Sequence, residues 1–115
     1  MKLLTNVLDR ELALERLGGD EELLREIARL FLDDYPKLMG ELRDAVRSGD
    51  AKGIERSAHS LKGSVANFAA GPVCEAAFAL EQIGRSGDVE RSAAALQALD
   101  EAFAELRPAL EDLAK

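Results

Sequence analysis

The sequence predicts an all-α fold, an antiparallel up-down four-helix bundle with a short extra N-terminal helix. Three observations carry this. The chain is 47% hydrophobic and only 4% aromatic, and its wealth of Leu, Ala, Glu and Arg favours helix over strand. Apolar residues recur at spacings of three and four, the period of a helix with one buried face. The intervening connections are short Gly/Asp or Gly/Pro links, and such links force consecutive helices to lie antiparallel.

Leu8, Leu12 and the Leu14–Leu17 turn read as a short amphipathic helix closed by Gly18-Gly19, a pair suited to the left-handed exit of a helix. Asp20 can cap the next helix, with Glu21 and Glu22 favourable at its positive end. Its expected inner stripe is Leu23, Leu24, Ile27, Leu30 and Phe31. Pro36 lacks an amide donor, so the pattern allows either a kink or a short break near Tyr35 before Leu38, Leu42, Ala45 and Val46 resume it. Tyr35 fits core and surface equally well.

Ser48-Gly49-Asp50 is a stop followed by a new cap, opening a helix expected to run to about Ala70. Gly71-Pro72 should end it, with Gly at the exit and Pro starting the next helix. That helix turns Val73, Ala76, Ala77, Leu80 and Ile83 inward and finishes near Gly84 to Gly87. Asp88 should cap the last helix, whose seam is Val89, Ala93, Leu96, Leu99, Phe103, Leu106, Leu110 and Leu113; Pro108 would bend it or fray its end.

A chain of 115 residues forms one domain, 1–115. The net charge of −7 disfavours nucleic acid, whose binding requires Lys and Arg to neutralise phosphates. Cys74 is the only cysteine, so no internal disulfide forms, and it reads as a small core residue in preference to a redox thiol. Met1–Asn6 reaches Asp9, Arg10 and Glu11 before an apolar region develops, unlike a signal peptide. Gly63 to Cys74, the longest charge-free stretch, is too short to span a bilayer. A cytoplasmic protein without membrane association is expected, and a monomer.

His59 is the only histidine. Ile54, Ala58, Leu61, Val65 and Phe68 make the buried stripe of its helix, which turns His59 outward together with Glu55, Lys62, Gly63 and Ala66. Gly63 sits where glycine costs about 1 kcal/mol relative to alanine, and so leaves bare backbone beside the imidazole. Lys62 brings a cation to the same face. A neutral imidazole is a good nucleophile and a natural phosphoryl acceptor, and phosphoryl transfer needs positioning and charge neutralisation above all. Without a Gly-rich phosphate loop or a Walker-type lysine, the chain is not expected to bind ATP or to phosphorylate itself.

The run Ala58-His59-Ser60-Leu61-Lys62-Gly63-Ser64-Val65-Ala66-Asn67-Phe68 resembles the signature of the histidine-containing phosphotransfer domain, the intermediate carrier of phosphorelays. The resemblance extends to Leu17-Gly18-Gly19-Asp20, Ser48-Gly49-Asp50, Cys74 with Leu80-Glu81, and Gly87-Asp88. It implies that His59 accepts a phosphoryl group from a receiver-domain aspartate and passes it to another response-regulator receiver. It further implies that Lys62 holds the phosphoryl oxygens and Gly63 leaves room for the receiver. Glu55, Ser60, Ala66 and Asn67 then belong to the docking face. The chain would have no cofactor of its own, Mg²⁺ would come with the receiver, and a sensor histidine kinase, hybrid or simple, would stand upstream. One departure is Ala69, where the family usually carries a second glycine.

Rival readings are weaker. Glu55 and His59 at i and i+4 supply two metal ligands without a third. The serines near His59 lack the orienting acid and oxyanion hole of a hydrolase. A phosphoacceptor module of a chemotaxis-type kinase and a helical interaction protein that carries no phosphate are the remaining alternatives.

Overall fold

A computed structural model describes residues 7–115. Met1–Asn6, on which the signal-peptide reading rested, lie outside them. Among the described residues the fold is all-helical: α1 (Arg10–Arg16), α2 (Glu21–Ser48), α3 (Ala51–Ala66), α4 (Gly71–Ser86) and α5 (Ser92–Leu113), with a 3₁₀ turn at Val89–Arg91. The long helices close a ring, α2 and α4 each packing against both α3 and α5. No helix of the described residues is long and apolar enough to cross a membrane.

Aspartates start three of the helices. Asp9, Asp20 and Asp50 accept hydrogen bonds from the amides of Leu12, Leu23 and Gly53, satisfying donors that a helix start leaves free. Gly49 exits α2 in the left-handed conformation, φ 68°. Asp88 behaves differently from expectation: its side chain makes no cap bond, and the 3₁₀ turn carries the chain into α5. There Ser92 takes the buried place expected of Ala93, its hydroxyl donating to the Val89 carbonyl at 2.6 Å.

The core forms where the stripes meet. Ile54, Ala58, Leu61, Val65 and Phe68 are all fully buried, as their spacing predicts. On α2 the buried line runs through Leu24, Ala28, Phe31, Met39, Leu42 and Ala45, whereas Leu23 and Leu30, expected inward, are exposed. Each of these leucines is one residue from the line, and one residue turns a side chain about 100° around the axis. α2 continues through Pro36 without a break. Tyr35 stacks on Phe31 and Phe103, with ring centroids 5.5 and 5.0 Å apart, so packing holds the helix on both sides of the missing donor. α5 likewise continues past Pro108 to Leu113.

Two backbone positions join α3 to α4. α3 ends at Ala66, before the expected Ala70, and Gly71 begins α4 instead of ending α3. The left-handed residue of the link is Ala69, φ 52°. Buried Phe68 and Ala70 hold it from either side, and its carbonyl accepts a hydrogen bond from the Asp9 amide. Farther along, Gly84 faces α3 so closely that a Cβ there would stand 2.5 Å from the Glu55 nitrogen and 2.7 Å from the Ala51 carbonyl oxygen.

These positions respond oppositely to substitution. Ala69→Gly should raise stability by roughly 1 kcal/mol by relieving a conformation that costs an L-residue about that much. Gly84→Ala should lower it by about 1–3 kcal/mol, because backbone cannot yield as a flexible side chain can. Urea unfolding of both variants measures the two signs.

Candidate functional site

The α3–α4 contact brings His59 against a residue to which the sequence reading assigned no role. Ala77, Leu80, Glu81 and Gly84 form the stripe of α4 that faces inward, and all are buried. Glu81 therefore points its carboxylate into the seam beside His59. Its side chain is 4% exposed, whereas that of His59 is 67% exposed. Burying a carboxylate is unfavourable by several kcal/mol unless opposite charge and hydrogen bonds compensate, and here three partners do so.

Glu81 Oε2 lies 2.9 Å from His59 Nδ1 and 3.3 Å from Arg85 Nη2. Oε1 is closed off from solvent and meets the Lys62 ammonium at 2.7 Å, an ion pair without the angles of a directed hydrogen bond. The same ammonium lies over the ring of Phe78, 4.9 Å from its centroid. Arg85 reaches onward to Glu55 of α3, Nε to Oε2 at 3.1 Å. The Lys62 ammonium, opposed by burial and reinforced by His59, holds the Glu81 carboxyl below the usual carboxylate range.

This arrangement fixes the tautomer of His59. Near neutral pH Glu81 is ionised and can only accept, so the ring nitrogen facing it must carry a proton. Nδ1–H then donates to Oε2. In the neutral ring Nε2 keeps its lone pair, and it makes no hydrogen bond among the described residues. The imidazole is thus held at one nitrogen and free at the other, on a surface open to solvent.

The other expected site residues fall as follows. Gly63 is exposed, and a Cβ there would meet nothing within 4 Å. Ser60, Ala66 and Asn67 are exposed on α3 and at its C-terminal cap, and the Ala66 carbonyl accepts from Arg16. Glu55, weighed as a metal ligand, is paired with Arg85. Lys62, expected to hold phosphoryl oxygens, lies on the His59 face and pairs with Glu81. Cys74 is half-buried; its thiol contacts the Lys62 carbonyl at 3.9 Å, and burial pushes its pKa up, as befits a packing residue.

Sequence reasoning missed Glu81 and Arg85 as members of this cluster. The signal was present, since a step of four from Ala77 along the inward stripe lands on a glutamate where an apolar residue would serve packing better. Glu81 should contribute to stability above its unfolded value of 4.5 and lose that contribution as pH falls through its lower folded value. The stability difference between wild type and Glu81→Gln, from urea unfolding, should accordingly be larger at neutral pH than in acid.

Comparisons with known proteins bear on the family and the fold. A family model described as the Hpt domain matches residues 26–109. The crystal structure of histidine-containing phosphotransfer protein B (HptB) from Pseudomonas aeruginosa PAO1 superposes with a TM-score of 0.85, covering 94% of each chain at 24% sequence identity, a likeness of fold. None of the curated protein sequences compared with the chain matches it. With most of its length matched by that family model, the chain belongs to the Hpt-domain family and has a histidine phosphotransfer role.

Proposed function

We propose that the chain is a phosphocarrier in a two-component phosphorelay that accepts a phosphoryl group on Nε2 of His59 from a receiver-domain aspartate and passes it to a second receiver. The observation that carries this reading is the imidazole held by buried Glu81 through Nδ1, in a side chain 67% exposed whose Nε2 makes no hydrogen bond among the described residues. The Nε2 lone pair attacks phosphorus, the N–P bond forms, and the P–O bond to the donor aspartate breaks to leave a carboxylate. No proton need leave the ring during this step. The product is an imidazolium, and its positive charge lies beside the Glu81 carboxylate.

Lys62 contributes its remaining N–H donors to the phosphoryl oxygens. An ammonium has three donors and one carboxylate oxygen does not exhaust them, while 31% exposure of the side chain leaves it within reach of solvent. Gly63 supports the docking role, because the fold does not need a glycine where a Cβ would touch nothing. Open backbone there serves a molecule that approaches from outside, along a face that includes Glu55, Ser60, Ala66 and Asn67.

The short connections and the ring of helix contacts support an antiparallel up-down four-helix bundle with a short extra N-terminal helix, forming one domain over 1–115. We read the protein as a cytoplasmic monomer served by a sensor histidine kinase, hybrid or simple, upstream. Mg²⁺ arrives with the receiver, and the phosphocarrier has no ATP site.

Incubation with receiver domains phosphorylated on aspartate should place acid-labile, base-stable phosphate on wild type. His59→Gln should take up none, and Ser57→Ala should match wild type. Equal labelling of His59→Gln, followed by intact mass, would refute the assignment.

A further inference from the structure

Beside His59 lies a shallow groove of about 410 Å³ between the first half of α3 and the end of α4, lined by Lys52, Glu55, Arg56, Ser60 and Arg85 among others. Its charge is opposite to that of the whole protein. The chain carries −7, yet the lining of this groove sets Lys52, Arg56 and Arg85 against Glu55 and Glu81 alone.

The acids are occupied. Glu81 is shared by His59, Lys62 and Arg85, and Glu55 is paired with Arg85. Lys52 and Arg56 form no ion pair among the described residues, although Glu41, Asp44 and Asp50 line the next depression beyond Arg56. Both cations are exposed and stand four residues apart on α3, with Arg56 one turn before His59. Neither is needed to neutralise Glu81, and neither packs the core.

We propose that Lys52 and Arg56, together with the outer edge of Arg85, form a cationic docking subsite for an acidic protein face on the receiver that exchanges the phosphoryl group; this rests on the phosphocarrier reading. The net charge of −7 repels a partner of that charge, whereas the cations of this groove attract it. The field therefore turns the encounter so that the partner's carboxylates meet α3 one turn from Nε2. Such complementarity acts mainly on the association rate and on the rejection of unsuitable partners, and it weakens with salt.

The test is the second-order rate constant for phosphoryl transfer from purified receiver domains, phosphorylated on aspartate with phosphoramidate, at low and high NaCl. The double reversal Lys52→Glu with Arg56→Glu is compared with Arg107→Glu with Lys115→Glu, the same change in net charge placed in and just beyond α5, across the ring from α3. Circular-dichroism melting checks folding, and Lys52→Gln with Arg56→Gln replaces the reversal if it unfolds. Transfer to wild type should slow as salt rises; the α3 pair should slow it by about tenfold or more at low salt and flatten the salt dependence, whereas the α5 pair stays close to wild type. Equal slowing by both pairs would show that net charge alone matters and would overturn the subsite, as would an unchanged rate in the α3 pair. Absence of transfer to wild type from every receiver would instead defeat the phosphocarrier reading, and the subsite with it.

Discussion

The site depends on a carboxylate buried where α4 meets α3. Glu81 is nearly sealed from water yet held ionised by Lys62, against the cost of burial, with His59 adding to the effect. An ionised, buried acceptor demands donors, and its surroundings are built to supply them: Nδ1–H of His59 and Nη2 of Arg85 on one oxygen, the Lys62 ammonium on the other. The orientation of the imidazole follows from satisfying Glu81. A free histidine on a helix would sample several rotamers and both tautomers, whereas this one is tethered through a group that cannot itself move into water.

That tether requires α3 and α4 to lie close, and the backbone provides for it. Gly84 sits one turn beyond Glu81 and has no room for a Cβ, so it sets the separation at which Glu81 reaches His59. Gly63 makes an instructive contrast: it lies one turn beyond His59, but on the open side, where a Cβ would touch nothing. One glycine is required by the fold, while the other leaves space outside it. The strained Ala69 belongs to the fold as well, because it turns the chain from α3 into α4 between two buried neighbours.

Much of this was legible in the residues. The buried stripe of α3 follows from spacing alone, as do the aspartate caps at Asp20 and Asp50 and the outward direction of His59. What escaped the reading depends on contacts between helices. Glu81 is just another charged residue until α4 is docked, and only then does its place on the inward stripe give it a partner. Leu30 shows the same limit from the other side, since an apolar residue near the edge of a stripe is assigned by its neighbours and not by its hydrophobicity. The α3–α4 link was misplaced because Gly71 looked like the exit, while tertiary packing forces the left-handed turn onto Ala69. Lys62 was correctly placed on the face of His59, but its engagement by an acid from another helix could not be read from its own helix.

The central claim is that Glu81 fixes the protonated nitrogen of His59 and leaves Nε2 bare. Because His59 is the only histidine, long-range ¹H–¹⁵N correlation spectra of uniformly ¹⁵N-labelled, unphosphorylated protein at about pH 8, where an ordinary imidazole is neutral, report its tautomer without ambiguity. The account predicts a ring protonated at Nδ1, with Nε2 showing the shift of an unprotonated nitrogen. A ring protonated predominantly at Nε2 would contradict it, since Glu81 would then face a lone pair and the nucleophile would point into the protein.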